Sequence, residues 1–220
     1  MAEIILASGS PRRRELMTLL TSQFRTVTAG VDETLQAGET PAQMVCRLSR
    51  AKARAVAKQV RQGIIVAADT IVVLDSRVLG KPAEATEARQ MLRDLRGRDH
   101  HVLSSVTVLR RLDDAEITDW ADSLVHMRDY SDAEADAYVA SGDPLDKAGA
   151  YAIQHPQFDP VAGMFGCYAS VVGFPLCHIY RALRMLGVDD IAYPVPGCRV
   201  ATGYLCTFYG RALAGAHGPY

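Results

Sequence analysis

Apolar residues in this chain fall into short continuous runs and helix-spaced stretches, and the two patterns alternate from the first residues onward. Ile4, Ile5, Leu6 and Ala7 form the first run; Gly9, Ser10 and Pro11 behind it supply a tight turn, an N-cap and a first helical position. This predicts a strand, then a helix over residues 11 to about 20. A second strand is expected over 24–31, ending on Asp32 and Glu33. Thr40 and Pro41 open a helix in which Met44, Val45, Leu48, Ala51, Ala55 and Val56 recur at helical spacing, with Lys52 on the side of Leu48 and Ala55. The clearest strand is Ile64–Leu74, whose only polar members are Asp69 and Thr70. A turn at Asp75, Ser76 and Arg77 brings Val78 and Leu79 back as its partner.

The second half repeats the theme with longer strands. A helix over 85–95 turns Ala88, Met91, Leu92 and Leu95 inward and stops at Gly97. Residues 101–111 and 117–127 read as a hairpin turning at Asp113 and Asp114. Ser131 and Glu134 form a capping box for a helix that ends near Gly142. Residues 146–166 are glycine-rich and irregular, as functional loops are. Residues 169–172 read as a strand, and Pro175 starts a last amphipathic helix with Leu176, Ile179, Tyr180, Leu183 and Leu186 inward and Gly187 at its end. From Asp189 the periodicity is lost, so residues 189–220 read as a tail appended to a domain over 1–188. Strands alternating with helices, then a long hairpin, predict a mixed α/β fold.

Composition narrows the chemistry. The 220 residues are 49% hydrophobic and 22% charged with a formal net charge of -1, which leaves no global attraction to nucleic acid or a membrane surface. Any anion site must therefore be local. Five cysteines without a CxxC pair suit free thiols in a reducing compartment. With no signal-peptide pattern and no apolar stretch of membrane-spanning length, a cytoplasmic location is expected.

Local charge supplies the candidates. Arg12, Arg13 and Arg14 occupy the first turn of the first helix, where the positive end of the helix dipole favours anionic side chains. A phosphate beside free N–H groups and guanidinium forks would suit that turn; solvated arginines are the alternative. Asp69 inside an apolar strand is costly unless paired or metal-bound, although a strand ending there would let its carboxylate cap a turn. Lys52 either snorkels or reaches the same place. Lys81 follows the hairpin return, as a site residue or a surface turn lysine, and Lys147 precedes small residues that permit close backbone approach. Together these outline a triphosphate site, with Mg²⁺ or Mn²⁺ held by Asp69 and Glu33. Walker A, HExxH and GxSxG patterns are absent.

In order along the chain stand Ser8-Gly9-Ser10-Pro11-Arg12-Arg13, Asp32-Glu33, Lys52-Ala53, Ala68-Asp69-Thr70, Gly80-Lys81-Pro82, Gly97-Arg98 with His100, the run from Lys147 to Gln154, and Val171-Val172-Gly173-Phe174-Pro175. This series resembles the Maf-like nucleotide pyrophosphatases over residues 3 to 188. The resemblance implies an α/β fold with two lobes around a central cleft, similar to inosine triphosphate pyrophosphatases. It also implies a cytoplasmic, homodimeric enzyme that uses a divalent cation to hydrolyse nucleoside triphosphates to monophosphate and pyrophosphate. By motif position Asp69 would accept the proton, and Arg12, Thr70 and Gln154 would set specificity. Ser8, Ser10, Arg13, Lys52, Lys81 and Lys147 would contact phosphate. The Lys147–Gln154 run resembles the dTTP and UTP branch, since a Gln amide offers both donor and acceptor to the O4/N3–H edge of uracil or thymine. House-cleaning of non-standard nucleotides and a role in division arrest are further implications. The alternatives are a non-catalytic nucleotide-binding regulator of septum formation and a pyrophosphatase for purine or 7-methyl-GTP substrates. The chain departs from the family pattern at His155, at Ser105 and over Cys167-Tyr168-Ala169-Ser170.

Overall fold

The computed structural model describes residues 3–218. Strands β1 (Ile4–Ala7), β2 (Phe24–Thr26), β3 (Ile64–Leu74), β4 (Arg77–Leu79), β5 (Asp99–Arg110), β6 (Ala115–Met127) and β7 (Val161–Phe165) form one mixed sheet. Its order is β2-β1-β3-β5-β6-β7, with β4 on β3. β2, β1 and β3 run parallel, whereas β4 to β7 join by antiparallel pairing. Eight α-helices are described: α1 (Pro11–Met17), α2 (Pro41–Ala57), α3 (Ala85–Leu95), α4 (Asp132–Ala140), α5 (Tyr168–Val172), α6 (Leu176–Met185), α7 (Pro194–Thr202) and α8 (Tyr209–Leu213). The mixed α/β class is as expected.

Alternation along β3 organises the core. Ile64, Val66 and Ala68 belong to a cluster with α1, α5 and α6, and Val72 and Leu74 to another with α3 and α4. On the other face Ile65 and Ala67 pack with Ala53 and Val56 of α2, and Ile71 packs with Val45. Two main apolar masses thus lie at opposite ends of one long strand. Asp69 and Thr70 fall between them, and a cleft opens there.

Several elements differ from the sequence pattern. Helix α1 ends at Met17, followed by a turn, and β2 stops at Thr26 because β1, its only strand partner, ends at Ala7. Residues 168–172 are a helix, not a strand: despite Val171 and Val172, no neighbouring strand offers a ladder, and Gly173 at φ +107° closes the turn. The supposed irregular loop contains β7, whose pairing with β6 supplies what its unpatterned sequence lacks. The tail also folds. Pro194 starts α7 and Gly203 ends it, and Val195, Phe208 and Ala212 enter the α1–α5–α6 cluster. Few inward positions carry that packing, so helical periodicity is weak.

Because Phe208 is only 4% exposed, Phe208→Ala should lower unfolding stability by about 3 kcal/mol in urea melts, with the cavity term included. A shift under about 0.5 kcal/mol, typical of an exposed position, would show that the tail is not part of the folded core.

Candidate active site

The cleft exists because strand β3 is longer than its neighbours on one side. β1 pairs with it as far as Ala67, and β4 resumes at Val72. Ala68, Asp69, Thr70 and Ile71 therefore have no strand on that edge, and their polar backbone needs other partners. Arg13 provides one: it donates to Ala68 O at 2.6 Å, to Gly173 O at 2.9 Å and to Thr70 Oγ1 at 3.2 Å. One guanidinium thus ties α1 to the open edge of β3 and to the end of α5. Gly173 is required here, since an added Cβ would lie 3.0 Å from Thr70 Oγ1 at a φ that L side chains avoid.

The turn between β1 and α1 forms one wall of the notch. Ser10 N–H donates to Ser8 Oγ, and Ser10 Oγ caps α1 by accepting from Arg13 N. Both serines, Arg12 and Arg13 line the cleft. Arg14 is exposed and lies outside that lining.

Opposite β3, helix α2 presents Lys52. Its Nζ donates to Asp69 Oδ1 and lies 2.7 Å from Glu33 Oε1, so two carboxylates converge on one ammonium. Their environments push them apart. Burial raises the Asp69 pKa, and Lys52 and Arg13 offset that only in part. Glu33 is held below its ordinary value: burial pushes it up, but Lys52, Lys81 and Arg13 together outweigh this.

The third wall is the segment after α4. Lys147 lines the cleft, yet its Nζ is held by Asp143 O at 2.5 Å, Asp146 Oδ1 at 2.6 Å and Asp143 Oδ1 at 2.9 Å. Asp146 also faces Arg12 at 3.6 Å. Gly149 adopts φ +68° against Val72, where a Cβ would come within 2.9 Å of Cγ2. Gln154 is exposed at the rim, and Lys81 is exposed in the cleft with no ion pair among the described residues. The cleft thus brings together Ser8, Ser10, Arg12, Arg13, Glu33, Lys52, Asp69, Thr70, Lys81, Lys147 and Gln154, whereas Arg14, the third of the first-turn arginines, stays outside it. Its volume of about 600 Å³ suits a nucleotide.

One supporting group was not singled out. Ser104 bridges Thr70 Oγ1 at 2.7 Å to Ser170 O at 2.6 Å, fixing the Thr70 hydroxyl from behind. Its signal is a buried hydroxyl inside the apolar alternation of β5. His100 Nε2 meets Tyr151 OH at 2.7 Å beneath the cleft wall. The departures from the family pattern are accommodated: His155 Nδ1 accepts from Phe158 N, and Ser105 bonds Ser49 and Asp119 O.

This is an α/β protein whose sheet notch carries a cationic, carboxylate-bearing cleft of nucleotide size. A model described as "Maf-like protein" matches residues 3–186, and the chain belongs to that family. A dTTP/UTP pyrophosphatase of Pelotomaculum thermopropionicum is 45% identical over 86% of this chain and 99% of its own. Proteins of the same name from Geotalea uraniireducens and Bacillus cereus are 44% and 41% identical, each over 86% of this chain and 97% and 98% of their own. A solved nucleoside-triphosphatase, a dITP/XTP pyrophosphatase from Mycobacterium abscessus, aligns with 58% of this chain and 75% of its own at TM-score 0.38 and 17% identity.

Two outcomes follow from the local geometry. Arg13→Ala should cost about 2 kcal/mol of stability by leaving the Ala68 and Gly173 carbonyls short of a donor, whereas Arg14→Ala should stay within about 0.5 kcal/mol. Equal small shifts in both would remove Arg13 from the notch. Burial lowers the His100 pKa to about 3. Between that value and about 6.5 the unfolded chain binds a proton that the folded one refuses, so stability should fall as pH drops through this window. His100→Asn should flatten the pH dependence of the urea midpoint, and an unchanged slope would disprove the assignment.

Proposed function

We propose that this chain hydrolyses dTTP and UTP to the nucleoside monophosphate and pyrophosphate. The observation that carries the proposal is the paired environment of Asp69 and Glu33 on Lys52, at the base of a cleft bordered by Arg12, Lys81 and Gln154. A carboxylate with a raised pKa is suited to accept a proton from water, while its partner stays ionised. The names of relatives at 41–45% identity, almost all of whose length is matched, support the same substrates.

Each group has a stated task. Lys81 and Arg12 face the phosphates, and Lys147 joins them by exchanging its bonds to Asp143 and Asp146. Ser8 and Ser10 shape the turn that approaches the phosphate chain. Thr70 is fixed by Arg13 and Ser104, and Gln154 at the rim offers its amide to the pyrimidine edge. Asp69 takes the proton from the attacking water, and the cationic lining stabilises charge gathering on the leaving pyrophosphate.

The donor set fits Mg²⁺ or Mn²⁺, because Asp69 and Glu33 are hard oxygen ligands that already converge on a cation, the Lys52 ammonium. No cluster of three or more metal-binding side chains occurs among the described residues, so such an ion would share its shell with substrate phosphates and water. When bound it would supply a Lewis acid at phosphorus. A homodimer and a cytoplasmic location are part of the same proposal. No described helix is long and apolar enough to cross a membrane.

The test is pyrophosphate release across a panel of nucleotides with Mg²⁺ or Mn²⁺. UTP and dTTP should lead, with monophosphate as co-product, and orthophosphate with diphosphate would refute the reading. Asp69→Asn keeps an acceptor for Lys52 but lacks the base, so turnover should fall by on the order of a hundredfold or more while the thermal midpoint holds or rises. Near-normal turnover with a collapsed midpoint would make Asp69 a structural residue.

A further inference from the structure

Four of the five cysteines in the chain line one small cavity, of about 20 Å³, between the main domain and the tail. Cys167 precedes α5 and Cys177 lies in α6; both are buried in the core. Cys198 lies in α7 and Cys206 just beyond it; both are half-buried and belong to the tail. The remainder of the lining is almost wholly apolar and aromatic, including Leu176, Val195, Tyr204 and Tyr209. All five thiols are free.

The arrangement is not a preformed metal centre, since no three metal-binding side chains among the described residues are placed to share an ion. It does join two core thiols to two tail thiols in a space too small for an organic ligand. Burial pushes Cys177 up to about 12 and raises Cys167 and Cys198 as well, which keeps these thiols protonated and slow to react. The tail thiols have the better access.

We propose that this cavity is a thiol-oxidation site, at which hydrogen peroxide oxidises Cys198 or Cys206 and the product then cross-links the tail to Cys167 or Cys177. In the first step the tail thiol attacks a peroxide oxygen, the O–O bond breaks, a sulfenic acid forms on the tail cysteine and water leaves. In the second the core thiol attacks the sulfenic sulfur, an S–S bond forms, and water departs. The two thiols lose two electrons and two protons in all, and the peroxide takes them up. The match to the family model ends at residue 186, so the cross-link depends on the segment beyond it. The cavity also adjoins the site through α5: Tyr168 and Ala169 line the thiol cavity, and Val171 and Val172 line the cleft.

The experiment uses the reduced full chain treated with hydrogen peroxide under native conditions, its intact mass read before alkylation, and peptide mapping after alkylation of the remaining thiols. The expected result is a loss of roughly 2 Da, a peptide joining Cys167 or Cys177 to Cys198 or Cys206, and a midpoint raised by roughly 5 °C that dithiothreitol reverses. A Cys198→Ser/Cys206→Ser double variant should form no cross-link, and Cys46→Ala should form it normally. Oxygen addition without a cross-link, a bond within the tail or within the core, a bond through Cys46, or a cross-link surviving in the double variant would each overturn the proposal. The wild-type peptide map decides even if the double variant does not fold.

Discussion

A carboxyl group in the middle of β3, the buried strand that joins the parallel and antiparallel parts of the sheet, is tolerable only because an ammonium comes to meet it, and the Lys52–Asp69 pair is that meeting. Asp69 lies on the face of β3 that packs against α2, where Val45, Ala53 and Val56 are apolar, and Lys52 is the helix's one charged answer to it. Without Lys52 the Asp69 carboxyl would be left uncompensated, which constrains the placement of α2 on the sheet. Glu33 lies against the same ammonium and anchors the chain between β2 and α2 to it. Three separate segments are thus drawn to one charge.

The open edge of β3 imposes a second requirement. Four consecutive residues without a strand on one side would be a weakness in a purely structural sheet. Here Arg13 closes part of the gap with side-chain donors, and the rest is left as the cleft. A guanidinium suits this position better than an ammonium, because its planar fork reaches three acceptors at once, two on β3 and one at the end of α5. The same arginine that the first-turn pattern marked as a phosphate ligand is therefore heavily engaged in building the notch. Charge facing the cleft comes mainly from Arg12, Lys81 and the exchangeable Lys147.

Around this centre the chain distributes its stability unevenly. The hairpin of β5 and β6 and the hydroxyl bridges of Ser104, Ser105 and Ser170 form a hydrogen-bonded polar interior behind the site. The tail adds a covering layer: His217 stacks on Trp120 and accepts Asp122 N–H through its carbonyl, on a stretch of β6 that β7 does not cover. An otherwise open sheet edge is thereby protected.

Much of this was legible in the residues alone. Run lengths and caps located β1, β3, α2, α3, α4 and α6, since each buries a face whose period is local. The lone acidic residue in an apolar strand marked the site, because such a charge demands a partner wherever it lies. Other features are decided by neighbours distant in sequence. Residues 168–172 are helical because their surroundings offer no ladder, β7 is a strand because β6 supplies one, and the tail is ordered because the core has a surface to cover. The arginines illustrate the division most clearly: their spacing placed all three at a helix start, but only the open edge of β3 separates Arg13, bound to backbone carbonyls, from Arg12 in the cleft and Arg14 in solvent. A sequence specifies periodicity and charge, whereas the partner that satisfies a buried polar group is set by which segments the fold brings within hydrogen-bond reach.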